Sequence, residues 1–200
     1  MTLEATNINI LFMYTRDDIE AIARQEGMQA RAYTDPAIFD MEMERIFGRA
    51  WIFVGHESQV PRTGDFKRTR MGTDEVILVR QVDKTLRVLS NNCSHRGTRL
   101  CTIMTGNKKS FVCPYHAWRF GLDGELKAIP DISSYPKTFD VKDRSLHLDS
   151  VARVSSYRGF IFASKVSSGP SLTEFLGPMK EAIDNLIDRA PGGEISIEGG

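Results

Sequence analysis

The sequence predicts a mainly β fold: a small antiparallel β-sandwich over residues 51–165 that carries two ligand-bearing hairpin loops, with an N-terminal helix before it and a C-terminal α segment after it. Two observations carry that expectation. From Trp51 onward the apolar residues fall in short runs, and Gly, Asp, Asn or Pro closes each run, which is the punctuation of strands. On either side, at 33–50 and 166–200, apolar spacing and capping residues are those of helices.

Residues 1–32 form an N-terminal extension without a specific signal. Within it, Ile8 to Tyr14 is an apolar run that lacks a basic flank and is too short to span a bilayer. Thr15 to Glu26 has the composition of a polar helix. Asp35-Pro36 reads as an N-cap followed by proline at the first helical position. The helix it opens should run to about Gly48 and pack on the sandwich, with Ile38, Phe39, Ile46 and Phe47 on its buried stripe. Strands are expected over 51–55, 65–71, 75–81 and 85–90, broken at Gly72-Thr73-Asp74 and Val82-Asp83-Lys84. Thr105-Gly106-Asn107 reads as a turn, 110–112 as a strand, and Leu122-Asp123-Gly124-Glu125 as a two-residue hairpin turn. Strands over 151–157 and 160–164 complete the sandwich. Ser167-Ser168-Gly169-Pro170 is a linker, Ser171 caps a short helix, and Pro178 to Arg189 forms a second. Ala190-Pro191-Gly192-Gly193 stops it, and 194–198 reads as a strand of a following domain.

Composition narrows the function. The 200 residues suit one domain, or one and part of another. Lysine and arginine total 26 against 26 acidic residues, so no charge excess favours nucleic acid or an anionic membrane surface. Three cysteines suit a reducing compartment, and with no signal peptide in view a cytoplasmic location is expected.

The chemistry concentrates in two loops, Cys93-Ser94-His95 and Cys113-Pro114-Tyr115-His116, with 17 residues between His95 and Cys113. Each loop offers one sulfur and one imidazole. Two facing hairpin tips of that kind suit a Rieske [2Fe–2S] cluster, in which two His replace two Cys on one iron. Two ferric ions, two sulfides and two thiolates sum to zero, whereas an all-Cys cluster would sit two charges lower. The neutral cluster therefore accepts an electron more readily. Its imidazoles can also lose a proton, so the potential should fall with pH. The same four residues suit a zinc ion, although structural zinc sites usually pair like ligands in each knuckle. Around the loops, Gly97 permits a tight turn after Arg96, Pro114 stiffens the second tip, and Trp118 brings an apolar face and an N–H donor. Cys101, a fifth candidate, reads as a small buried hydrophobe.

The segments C-S-H-R-G-T-R-L at 93–100 and F-V-C-P-Y-H-A-W at 111–118 resemble the Rieske non-haem iron aromatic-ring-hydroxylating oxygenases, large (α) subunit, of the naphthalene/benzoate dioxygenase type. E-R-I-F-G-R-A-W (44–51), V-P-R-T-G-D-F (60–66), M-G-T-D-E-V-I-L-V-R-Q (71–81) and V-A-R-V-S-S-Y-R-G-F-I-F (151–162) extend the likeness across 33–200. The resemblance implies that Cys93 and Cys113 hold one iron and His95 and His116 the other, with Arg96, Gly97 and Trp118 around them. It implies a ferredoxin or reductase as electron donor, an α3 or α3β3 assembly, and an aromatic small molecule as substrate of the whole enzyme. Respiratory Rieske proteins carry an extra Cys in each loop where this chain has Thr98 and Tyr115, and are set aside. The family's mononuclear Fe(II), held by two His and a carboxylate, should lie in a catalytic domain that begins near 166 and is cut short here. His56 and His147 show no paired spacing for it. The chain alone is expected to be reduced and reoxidised without hydroxylating anything, and to be poorly soluble because its α segment lacks a cover. A free-standing Rieske ferredoxin, an electron carrier without substrate, is the alternative.

Overall fold

The computed structural model describes residues 14–197. The chain divides into two compact units, residues 1–48 and residues 49–200. The apolar run expected from Ile8 lies, up to Met13, outside the described residues.

In the first unit, α1 (Arg16–Ile22) is opened by Thr15 and Asp18, which form a reciprocal capping box. It ends four residues earlier than expected. A minimal hairpin follows, β1 (Ala23–Arg24) with β2 (Gly27–Met28), and Gly27 stands at a φ of +151° that suits glycine. After α2 (Arg31–Thr34), Asp35 caps α3 (Pro36–Glu42) by accepting from the Ala37 amide at 2.9 Å, with Pro36 at the first helical position as expected. The helix then widens into a π turn over Met43–Phe47. The expected buried stripe therefore fails. Ile38 is buried and Phe47 half-buried, but Phe39 and Ile46 are exposed. Neighbours on a helix stand about 100° apart, so Phe39 cannot share the inward direction of Ile38. The π turn rotates Ile46 off the same face.

Among its described residues the second unit holds three antiparallel sheets. The central one, in the order β6-β5-β4-β7, comprises β4 (Asp65–Met71), β5 (Asp74–Arg80), β6 (Leu86–Ser90) and β7 (Thr105–Asn107). A second joins β3 (Ile52–His56) to β12 (Phe160–Ser164) and β11 (Arg153–Tyr157). The third, small sheet is β8 (Phe111–Val112), β9 (Arg119–Phe120) and β10 (Leu126–Ala128).

The run Val76-Ile77-Leu78-Val79 on β5 explains the layering. Val76 and Leu78 join Val54, Val88 and Ile161 in a core against the second sheet. Ile77 and Val79 join Phe66, Leu89, Phe111 and Phe120 in a core under the small sheet and the two loops. A strand buried on both faces reads as a continuous apolar run. A third cluster sets Trp51, Leu172 and Leu176 against Phe162 and Tyr157.

Three expectations need correction. Thr105-Gly106-Asn107 is a strand, not a turn, pairing Phe66 with Gly106 and Asp65 with Asn107. A Cβ on Gly106 would stand 2.9 Å from the Phe66 ring, so this glycine marks a close approach of backbone to core. The β9–β10 connection is a three-residue loop, Leu122-Asp123-Gly124, closed by the Gly121 amide donating to the Glu125 carbonyl at 2.8 Å. Gly124 takes the left-handed position at φ +86°, as three-residue hairpins require. A two-residue hairpin is found instead at Arg158-Gly159 between β11 and β12, with φ +50° and +86°. Finally, 194–197 is not a strand: the Ile197 amide donates to Ser58 Oγ at 3.0 Å, and Glu198 lies outside the described residues.

The C-terminal helices follow expectation. Ser171 and Glu174 form the capping box of α4 (Leu172–Leu176), and α5 (Met179–Asp188) comes after Pro178. Phe175, Met179 and Leu186 on them are exposed. Among the described residues no helix is long and apolar enough to cross a membrane.

Candidate metal centre

The two loops repeat one hydrogen-bond scheme. In the first, the Cys93 amide donates to the Thr98 carbonyl at 2.8 Å, and the Gly97 amide to the Cys93 carbonyl at 2.7 Å. In the second, the Cys113 amide donates to the Trp118 carbonyl at 2.8 Å, and the Ala117 amide to the Cys113 carbonyl at 3.0 Å. Each cysteine thus anchors a closed turn, and the fourth residue after it is left-handed: Gly97 at φ +67° and Ala117 at +55°. Gly97 was legible as the residue that permits such a turn, whereas Ala117 gives no sequence signal. Left-handed backbone costs an alanine on the order of 1–2 kcal/mol. Ala117→Gly should therefore stabilise the chain by about 1 kcal/mol, seen as a higher urea midpoint with unchanged slope.

The scheme places the side chains in two tiers. Cys93 and Cys113 are buried at 2% and 3% exposure. His95 and His116 are half-buried above them, ring centroids 4.8 Å apart and planes at 63°. Burial pushes the Cys93 thiol up, as does the facing Cys113 sulfur, while the His95 and Arg96 amides donate to Cys93 and pull the other way. Burial, then the charges of His116 and Arg96, pull the His95 imidazole down, which keeps its lone pair free for a metal. The turn closed by Gly97 thus aims two amides at a candidate ligand sulfur, and the Arg96 side chain is exposed. Trp118 lies flat on the His95 ring, centroids 4.6 Å apart and planes within 6°.

The donor set fits a two-iron cluster. His116 Nδ1 and Trp118 Nε1 are buried without a hydrogen-bond partner, which a group seated between the loops would supply. Among the described residues no three His, Cys, Asp or Glu side chains gather around one point.

Other residues hold the loops in place, and sequence reasoning missed them. Asn91, fully buried, clamps the chain after the first loop: its Nδ2 donates to the Cys101 carbonyl at 2.9 Å and its Oδ1 accepts from the Cys101 amide at 2.8 Å. Arg99 Nε pairs with Glu75 at 2.7 Å, and Ser94 Oγ donates to the Leu146 carbonyl at 2.6 Å. The signal available was a polar residue ending an apolar strand. Asn91→Ala strips the partners from both the N–H and the carbonyl of buried Cys101 and should cost roughly 2–4 kcal/mol in denaturant melts. Cys101 lies in the apolar core, and burial pushes its thiol up. His56 is buried against Phe160 and Gly159, with Nδ1 at 2.9 Å from Ser58 Oγ, outside this centre.

Residues 50–151 match the Rieske [2Fe–2S] domain family. The chain belongs to that family. It is 38% identical over 194 residues to the alpha subunit of biphenyl dioxygenase from Metapseudomonas furukawaii, covering 93% of this chain and 42% of that protein. Among solved structures, naphthalene 1,2-dioxygenase with indole in its active site superposes with a TM-score of 0.78 at 36% identity, covering 86% of this chain and 38% of that one. A quaternary ammonium Rieske monooxygenase superposes with a TM-score of 0.70 at 29% identity, covering 79% of this chain and 45% of that one. The Rieske chain described here thus spans less than half the length of these relatives. The likeness expected from the two loops, to aromatic-ring dioxygenase alpha subunits, is borne out, and so is the mainly β fold.

Proposed function

We propose that Cys93 and Cys113 hold one iron and His95 and His116 the other iron of a [2Fe–2S] cluster. We further propose that this chain is the electron-accepting part of an aromatic-ring-hydroxylating oxygenase α subunit. The observation that carries the reading is the two-tier arrangement, a buried sulfur pair beneath two half-exposed imidazoles. The bound cluster supplies a carrier for one electron at a time.

The protein residues do the rest. The cysteines lie in the apolar core and would shield the iron they hold from water. The histidines face outward and form the edge an electron enters or leaves by. Tyr115, exposed, stacks on His116 with centroids 3.8 Å apart and extends that edge. On this reading 51–165 is the Rieske domain and 166–200 opens the catalytic domain. That domain would hold the mononuclear iron where O2 meets an aromatic substrate. A ferredoxin or reductase supplies electrons, the subunits assemble as α3 or α3β3, and the location is cytoplasmic.

Iron, sulfide and zinc analysis of the purified chain tests this. Two irons and two sulfides per chain, a brown-red colour and a paramagnetic signal only after reduction are expected. A colourless protein holding one zinc would end the proposal.

A further inference from the structure

The chain has two tryptophans, both buried. Trp51 donates its indole N–H to the Pro170 carbonyl at 3.1 Å. Trp118 Nε1 is sealed from solvent and finds no acceptor. Leaving a buried N–H unpaired is costly, so such an atom points to an acceptor that arrives with a bound group. The position of Trp118 says which group. Its backbone closes the second loop, its ring lies flat on His95 of the first, and Phe120 and Phe139 are neighbours at centroid distances of 6.4 and 6.5 Å. The side chain bridges both loops with its plane fixed.

We propose that Trp118 is a positioning residue of the Rieske centre: its stack fixes the His95 ring plane, and its indole N–H donates to a sulfur of the iron–sulfur group held between the loops. The inference rests on the ligand assignment proposed above. Sulfur atoms of such groups accept hydrogen bonds, and these bonds help to set the reduction potential. The reduced state carries one more negative charge and gains more from the donor, so Trp118 raises the potential.

The test compares the full chain with Trp118→Phe, which keeps a ring beside His95 but removes the donor, and with Phe139→Leu, which removes only a packing neighbour. Trp118→Phe should retain its iron and become harder to reduce by about tenfold, a fall of about 59 mV for one electron. Phe139→Leu should lower the melting temperature and leave the potential in place. In wild-type protein with isotope-labelled tryptophan, an indole N–H should show hyperfine coupling to the reduced centre, with Trp51 silent. A wild-type potential in Trp118→Phe, or no indole coupling in the wild type, overturns the inference. Should Trp118→Phe fail to hold iron, the coupling in the wild type decides. A wild-type chain without an iron–sulfur signal defeats the ligand assignment itself, whereas a normal signal without coupling defeats the role of Trp118 alone.

Discussion

Cys113→Ala should leave the chain colourless, while Cys101→Ala should leave it brown-red. Both thiols are buried in the same apolar core, so burial alone predicts the same modest loss of stability for each. Their surroundings separate them. The Cys113 sulfur faces Cys93 in the tier below the two imidazoles. The Cys101 backbone is clamped by Asn91, and no role at the metal centre is proposed for its thiol. Removing one of four anchors should weaken affinity for the group by more than the 10–100-fold usual for losing a residue behind a ligand, leaving little iron on the purified chain. Cys101→Ala should keep full iron content and cost on the order of 1 kcal/mol. The cost of Cys113→Ala is larger, because free energy of binding a structural group is also free energy of folding. It should be confined to the small sheet and loops. The core of Val54, Leu78, Val88 and Ile161 contains neither residue, so far-UV circular dichroism should change little while amides of 93–98 and 113–118 exchange faster. Equal iron in the two variants would remove Cys113 from the centre.

How much of this was legible in the sequence depends on how local each cause is. The caps at Asp35-Pro36 and Ser171 act within four residues, and both were read correctly. Strands β4 to β6 joined by tight turns were read to within a residue. The candidate ligands were legible because both loops carry them at short, fixed spacing. What depends on partners distant in sequence was missed. Gly106 resembles a turn until the Phe66 ring is seen against it. Ala117 carries no sign of left-handed backbone, because the Cys113 turn imposes it. Asn91 looks like the end of a strand, and its work as a clamp needs Cys101 beside it. The stripe over 38–47 failed at Ile46 because a π turn breaks the period on which it was drawn.

The double substitution His95→Cys with His116→Cys should drop the reduction potential by several hundred millivolts and abolish its dependence on pH. Histidine-ligated clusters of this kind span about −150 to +300 mV, and all-cysteine plant-type clusters lie near −400 mV. The difference follows from charge: two more thiolates make the site two charges more negative, and adding an electron is correspondingly harder. The pH term follows from the same imidazoles. The half-exposed rings of His95 and His116 leave a path for protons to water. An oxidised cluster held by these imidazoles would make their N–H groups more acidic than a reduced one. Between the two pKa values, reduction takes up a proton, so the wild-type potential should be level at low pH and then fall by about 59 mV per pH unit for each proton. It should level off again once both oxidation states are deprotonated. Protein-film voltammetry from about pH 6 to about pH 10 checks both parts, since a metal-bound imidazole loses its remaining N–H proton above the pKa at which free imidazolium becomes neutral. A level wild-type potential across that interval would remove the imidazoles from the iron. A double variant that keeps its iron and still slopes with pH would assign the proton to another group.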